Sequence, residues 1–420
     1  MSSDEKEILA PLRIAIAFGG GGGKGAYHIG CWKALNELGL DKNVVAVSGA
    51  SVGALTAVLF AQGNLQIAED IWTSMSPKRV YKRPFPRILL AVLGRLIAYG
   101  SLYLGFAFFY LSILSFLAAF ALIPSRKDSY TALAVALISL FTGAGLAAMG
   151  IFFRNFLNRH VTLFTDRPLR SLLASRVNID QLRTRNLQVY ITVTAFRPVL
   201  DPYSKNFIDM MHSESPSTAV DRIEREAQQH NEPGLSVFTR AVPEYFDLLQ
   251  LSRQDFLNCL VQSCALPEIF PARMVRRARY VDGGVADNLP VIPLLQELVD
   301  VVLAISLDHR CNLDRIEEKI RQITRNRYYS QLSPEKTWIL FRRWLLKDMK
   351  EEAPTTAGLD KIILLQPSRS LGNFIMGTLN FSRTKAERDL RLGYEDTIRV
   401  FNLKYNWMVG KASSNSKQLQ

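Results

Sequence analysis

The chain has 420 residues, 48% of them hydrophobic, and carries 51 Lys and Arg against 38 Asp and Glu, for a net charge of +13. That is enough apolar material for one large or two ordinary domains, and the positive excess favours an anionic partner: a phospholipid surface, nucleic acid or an acidic substrate. Four cysteines, Cys31, Cys259, Cys264 and Cys311, have neither CxxC spacing nor a histidine at zinc spacing, which argues against a zinc site and reads as reduced, packed thiols.

Residues 1–11 are polar, with Asp4, Glu5 and Glu7 ahead of the first apolar run, and do not form a signal-peptide pattern. With the reduced thiols, this places the N-terminal part in a reducing, cytosolic setting. Arg13 to Phe18 predicts a short buried strand. Six glycines follow between positions 19 and 25, interrupted only by Lys24. Ala26, Ile29, Gly30, Trp32, Leu35 and Leu38 then repeat at helical spacing, and Gly39 closes the helix. Val44 to Val47 predicts a second buried strand, ending in Ser48-Gly49-Ala50-Ser51-Val52-Gly53, with an apolar helix through Ala54 to Ala61. Strand, glycine turn, helix, strand, tight turn, helix implies a parallel sheet with covering helices.

The alternation then stops. Leu96 to Ile123 contains no charged residue, and neither does Ser129 to Phe153. Crossing a bilayer takes about 20 apolar residues, so each run suffices, and Pro124 with Arg126, Lys127 and Asp128 makes a short connection between them. Both runs are apolar all round, unlike the half-polar helices of a soluble core. The pair predicts a transmembrane helical hairpin. Lys78, Arg79, Lys82, Arg83, Arg87 and Arg95 precede it, and Arg154 and Arg159 follow it, so the positive-inside rule puts both flanks in the cytoplasm.

A soluble pattern resumes after Leu163. Leu187 to Thr194, Val299 to Ser306 and Lys361 to Leu365 predict strands; Phe256 to Ala265 predicts a helix; Asp209 to Pro233 reads as an exposed polar excursion. Arg310 to Lys350 is largely helical in pattern, with eleven basic against five acidic residues. It reads as a solvated face or a surface for anionic headgroups. Neither a nucleic-acid-binding fold nor an aromatic platform accompanies this charge, so nucleic acid is not expected as a partner. The tail from Gly410 is polar.

Three places carry chemistry. Gly49-Ala50-Ser51-Val52-Gly53 is a GxSxG pattern set between strand and helix, where a sharp turn exposes a serine hydroxyl. The glycine loop, Gly19 to Gly25, fails as a P-loop, because Phe18 stands where the first glycine belongs and Gly25 where the hydroxyl belongs. A dinucleotide fingerprint fits it weakly, since apolar Val44 to Val47 occupies the place of the acidic ribose ligand. The third possibility is an oxyanion hole built from backbone N–H groups at a helix start, and only this one also uses Ser51. The base is the last element. His28, His160, His212, His230 and His309 are the histidines, and none stands in a catalytic-looking turn, whereas Asp282 before Gly283-Gly284 could take a serine proton directly.

These blocks resemble the patatin-like phospholipases: Gly20-Gly21-Gly22-Gly23-Lys24-Gly25, the GxSxG with its flanking Gly49 and Gly53, Gln262 to Pro271, Asp282-Gly283-Gly284, and Asn288 with Pro290. The resemblance covers about residues 13–77 and 160–400. It implies a dyad of Ser51 as nucleophile and Asp282 as general base, an oxyanion hole from Gly21, Gly22 and Gly23, and no metal or organic cofactor. Two departures stand out. The span from Ser51 to Asp282 is long and fits an inserted hairpin region. Asp287 also sets a second carboxylate close behind the turn. The expectation is an α/β fold with a parallel-rich central sheet, residues 13–77 and 161–405 forming the catalytic domain, 78–160 an inserted hairpin and 406–420 a tail. Membrane phospholipid is the expected substrate and the bilayer the expected partner. Rival expectations are a lysophospholipase or acyltransferase using the same dyad, and a non-catalytic membrane scaffold.

Overall fold

The computed structural model describes residues 12–76, 85–121, 126–160, 165–185, 187–199, 239–267, 270, 274–276, 278–331, 336 and 357–405. The described residues fall into two compact units, the larger drawn from residues 1–80, 167–266 and 272–420 and the smaller from 81–166 and 267–271. The predicted excursion over Asp209–Pro233, the tail from Gly410 and most of the basic stretch beyond Gln331 lie outside the described residues.

The larger unit is α/β. Among the described residues its strands are β1 (Ile14–Phe18), β2 (Val44–Ala50), β3 (Gln188–Pro198), β4 (Thr239–Asp247), β5 (Met274–Val275), β6 (Ala278–Arg279), β7 (Val281–Asp282), β8 (Val301–Ile305) and β9 (Ile362–Leu365). Seven form one sheet in the order β4-β3-β2-β1-β8-β9, with β7 also on β3; β5 and β6 form a separate hairpin. The pairs β1–β2, β2–β3, β1–β8 and β8–β9 are parallel, and only β4 and β7 run antiparallel to β3. Strands β1 and β8 are buried along their whole length, as central parallel strands covered on both faces must be.

Helices α1 (Ala26–Glu37), α2 (Val52–Gln62), α3 (Leu65–Ser74), α6 (Arg167–Arg176), α7 (Ile179–Thr184), α8 (Arg253–Ser263), α9 (Ile292–Leu295), α10 (Leu313–Ser330) and α11 (Arg383–Lys404) flank this sheet. Helix α2 is buried at every position, so its apolar surface carries no polar stripe. On α10, buried Ile316, Ile320 and Ile323 recur every three to four residues, which fixes its inner face and turns its charges outward. Strand β4 and helix α11 were not anticipated from sequence. Pro243 and three charged residues disguise β4, which the sheet tolerates because it is an edge strand.

The second unit contains two long helices, α4 (Phe85–Ala121) and α5 (Arg126–His160). Each holds a stretch long and apolar enough to cross a membrane: Val92–Ala119 with mean hydropathy 2.0 and Ser129–Arg154 with 2.1. Their mutual seam is made of small residues. A Cβ on Gly105 would lie 2.9 Å from the Gly143 carbonyl, one on Gly150 would lie 2.8 Å from the Ala98 carbonyl, and Ser112 Oγ donates to the Ala136 carbonyl at 2.8 Å. Positions 98, 105 and 112 thus meet 150, 143 and 136, an antiparallel register with a seven-residue period. The large apolar side chains point the other way: Tyr103, Phe106, Phe141 and Phe152 are all at least 65% exposed.

Candidate active site

Strand β2 runs three residues past the predicted end at Val47, because Ser48, Gly49 and Ala50 still pair with Tyr190, Ile191 and Thr192 of β3. The chain then turns at Ser51, whose φ of 53° makes it one of two described non-glycine residues with positive φ. Such a conformation costs on the order of 1–3 kcal/mol and persists only where the surroundings impose it. Here they do so from several sides. A Cβ on Gly49 would collide with the Gly53 carbonyl, and one on Gly53 with the Phe18 carbonyl, so both flanking glycines are required by close backbone approach. The Ser51 N–H donates to Ser263 Oγ at 3.0 Å, and Ser263 Oγ donates onward to the Thr192 carbonyl at 2.7 Å. The Cys264 thiol donates to the Ser51 carbonyl at 3.2 Å. Two consecutive side chains at the end of α8 therefore hold the two polar ends of the strained residue. Neither was assigned a role from sequence, although both lie in the Gln262–Pro271 block.

Asp282 reaches Ser51 through the sheet. Residues 188–192 of β3 pair with β2 on one edge, and from Val193 that edge is taken over by β7, with Val193 opposite Asp282. Ala50 and Asp282 thus face adjacent residues of the same strand, which closes a sequence gap of 231 positions. Ser51 Oγ donates to Asp282 Oδ2 at 2.7 Å. The other carboxylate oxygen, Oδ1, accepts the Gly284 N–H at 2.8 Å, and Thr194 Oγ1 donates to the Asp282 carbonyl at 2.8 Å. Gly283 leaves no room for a side chain against the Thr192 carbonyl. Asp282 is 1% exposed, and burial pushes its carboxyl up to about 7 against the opposing pull of the Ser51 and Gly284 hydrogen bonds.

The second carboxylate is occupied elsewhere. Asp287 accepts the Tyr245 hydroxyl at 2.7 Å and the Leu289 N–H at 3.2 Å, and Arg327 lies over the Tyr245 ring. Its neighbour Asn288 joins the site instead: its Nδ2 donates to the Gly20 carbonyl at 3.2 Å, and its own carbonyl accepts the Gly20 N–H at 2.8 Å. His28 is fully buried and meets Thr56 Oγ1 at 3.3 Å, and burial pushes its imidazole down to about 3. Among the described residues, no histidine bonds to Ser51.

The glycine loop lies beside the serine. A Cβ on Gly20 would stand 3.2 Å from the Ser51 Cβ. Gly19 and Gly20 spend their N–H groups on Ile305 and Asn288 carbonyls, whereas among the described residues nothing accepts the N–H of Gly21, Gly22 or Gly23. A short 3-10 turn, Gly22–Gly25, then leads into α1, so these three amides stand just ahead of a helix start. Gly22 has φ +57°, a left-handed conformation suited to glycine. Lys24 is half-buried; burial lowers its pKa, and Asp308 and Asp389 oppose that. Among the described residues no group of three or more His, Cys, Asp or Glu is placed to hold a metal.

The fold is thus of the α/β class, with a mostly parallel central sheet flanked by helices and a serine at a left-handed strand tip. The chain belongs to the patatin-like phospholipase family, whose family model matches residues 16–295, about two thirds of the sequence. Uncharacterized NTE family proteins of Mycobacterium bovis and Mycobacterium tuberculosis are 43% identical over 79 residues, which is 19% of this chain and 21% of theirs. The match thus spans about a fifth of those relatives' length. Among solved structures, VipD from Legionella pneumophila is 17% identical over 93% of this chain and 67% of its own, with a TM-score of 0.38. The type III effector protein ExoU is 13% identical over 96% and 53%, with a TM-score of 0.33. Both superpositions are too loose to assign anything at the site.

Proposed function

We propose that the protein is a membrane-anchored lipid acyl hydrolase that cleaves carboxylic esters through an acyl-Ser51 intermediate. The observation that carries this reading is the 2.7 Å bond from the Ser51 hydroxyl to a buried Asp282 carboxylate, made at a left-handed strand tip. As Ser51 Oγ attacks the ester carbonyl carbon, its O–H bond breaks and the proton passes to Asp282 Oδ2. The carbonyl oxygen becomes an oxyanion and accepts the open N–H groups of Gly21, Gly22 and Gly23. Collapse breaks the bond to the lipid alcohol, which leaves with the proton from Asp282. Water then gives a proton to Asp282, attacks the acyl carbon and releases the fatty acid, and Ser51 recovers its proton. No step calls for a metal or organic cofactor. An alcohol in place of water at the last step would make the same site an acyltransferase.

The test is direct. The purified protein, incubated with phosphatidylcholine and phosphatidylglycerol vesicles, should release free fatty acid, and a fluorophosphonate should add its mass to the peptide bearing Ser51. Fatty acid release with no adduct on Ser51 would sink this mechanism. Acyl-chain transfer to glycerol or lysophospholipid exceeding hydrolysis would favour the acyltransferase instead.

The anchor is the second part of the proposal. A soluble helical hairpin buries its large apolar residues in the seam; here the seam is Ala, Gly and Ser, and the aromatics face outward. That arrangement suits lipid, where small residues allow close helix packing. With both flanks basic, the catalytic residues before and after the hairpin share the cytoplasmic side. The protein should therefore stay with membranes through high-salt and alkaline washes. In a Cys264→Ser/Cys311→Ser background, Ser129→Cys should react with an impermeant maleimide added outside intact cells, and Asp314→Cys only after lysis. Release by alkali would remove the anchor while leaving the hydrolase reading intact.

A further inference from the structure

The family match ends at residue 295, yet the glycine loop is braced by residues about 80 positions beyond it. A Cβ on Gly22 would collide with the Thr378 carbonyl, and one on Gly23 with the Asn380 carbonyl, so the loop rests backbone to backbone on the segment leading into α11. Helix α1, which starts from the loop, packs on α11 in the same way: Gly30 is pressed against the Leu390 carbonyl and Gly393 against the Tyr27 carbonyl. One side chain of α11 reaches into the loop. Lys385 Nζ donates to the Gly23 carbonyl at 3.1 Å and pairs with Asp389. The lysine side chain is 5% exposed and the aspartate wholly buried, and Arg388 adds bonds to the same carboxylate at 3.0 and 3.2 Å.

A buried ion pair contributes little net stability relative to apolar side chains of the same shape, so the consequence of this one lies in what its ammonium touches. The Gly23 carbonyl belongs to the turn from Gly21 to Lys24, which is closed by the Lys24 N–H donating to the Gly21 carbonyl at 3.3 Å. The three amides left open stand at the start of that turn. An ammonium on its carbonyl end fixes their direction and sets a full positive charge behind groups that meet developing negative charge. Donors held rigidly in a dry site are worth far more to a transition state than mobile ones.

We infer that Lys385 is a positioning residue for the reaction: it holds the glycine loop in the geometry that receives the oxyanion, and α11 is part of the catalytic frame. This rests on the hydrolase reading of Ser51. The effect should fall on turnover rather than on substrate affinity, because the oxyanion forms only in the transition state.

The experiment compares the full-length protein with Lys385→Met, Tyr27→Phe and Ser51→Ala, using a soluble p-nitrophenyl ester and a fluorophosphonate. Tyr27 donates to Asp396 at 3.3 Å in the same helix contact without bonding to the loop, so its variant reports the loss of one α1–α11 hydrogen bond alone. Lys385→Met should lower kcat by about 10-fold or more with KM within about twofold, and slow phosphonylation of Ser51 by the same factor. Tyr27→Phe should lower the melting temperature and leave kcat per folded molecule within about twofold. Lys385→Gln replaces the methionine variant if that one does not fold. If the Lys385 variant keeps full turnover per folded molecule, Lys385 is structural only and the inference falls. Persistent activity in Ser51→Ala would instead remove the hydrolase reading itself.

Discussion

Ser51→Ala, Asp282→Asn and the double variant are each expected to lose ester hydrolysis by about 10⁴-fold or more, with the double little worse than either single. The two side chains act as one unit: without the carboxylate the hydroxyl has no acceptor for its proton, and without the hydroxyl the carboxylate has nothing to activate. In Asp282→Asn, Oδ1 can still take the Gly284 N–H, so the turn survives while the group facing Ser51 becomes a donor. The carboxyl value near 7 gives the pH dependence a sign. Below it Asp282 carries the proton and cannot accept another, so kcat/KM should fall about tenfold per pH unit below about 7 and level off above it. Stability runs the opposite way. A carboxyl raised on folding binds more protons in the native state than in the unfolded one between about pH 4 and 7. Asp282 therefore costs stability as pH rises through that window, and the cost is fully present above about 7. Asp282→Asn should consequently raise the melting temperature at pH 8 and do little at pH 4. A flat pH profile for kcat/KM, with no gain in stability in the asparagine variant at pH 8, would mean that Asp282 is not the base.

The parts of this site that were legible in the sequence are those where local backbone geometry dictates residue type. Gly49 and Gly53 are glycine because each backbone passes against another carbonyl, and Gly22 because of its left-handed φ. Such demands leave a mark at fixed spacing. Contacts made across the sheet leave none. Nothing near Asp282 announces that β7 will replace β2 along the edge of β3; its turn marked it as a possible proton acceptor, and the family resemblance then paired it with Ser51. Ser263 and Cys264 lay within a recognised block, but the hydrogen bonds they make depend on where α8 ends relative to β2. Lys385 was least visible. A lysine on a charged helix reads as solvated, and only the packing of α11 on α1 turns it inward. The hairpin shows the converse case. Its apolar length was plain, whereas its seam of Ala98, Gly105 and Ser112 against Gly150, Gly143 and Ala136 is a seven-residue spacing hidden among larger apolar residues.

The glycine loop offers the other large effect, and it separates an oxyanion hole from a phosphate cradle. Gly22→Val should lower turnover by about 100-fold or more, the scale seen when one oxyanion donor is lost. The side chain would need space already held by the Thr378 carbonyl, and a β-branched residue resists the +57° φ found there. The loop must therefore shift, and the open amides of Gly21, Gly22 and Gly23 shift with it. Because those amides meet negative charge only as the tetrahedral intermediate forms, KM should change little while kcat collapses. Phosphonylation of Ser51 should slow in parallel, since the phosphoryl oxygen of the reagent occupies the same position as the oxyanion. Ser51 and Asp282 stay in place in this variant, so the loss cannot be charged to the dyad. A nucleotide-binding loop predicts something different. It would give thermal protection by ATP or NAD in the wild type, abolished by Gly22→Val, with ester hydrolysis preserved. The loop's own hydrogen bonds favour the first outcome: its carbonyls at Gly20 and Gly23 are engaged by Asn288 and Lys385, while among the described residues the amides of Gly21, Gly22 and Gly23 have no acceptor.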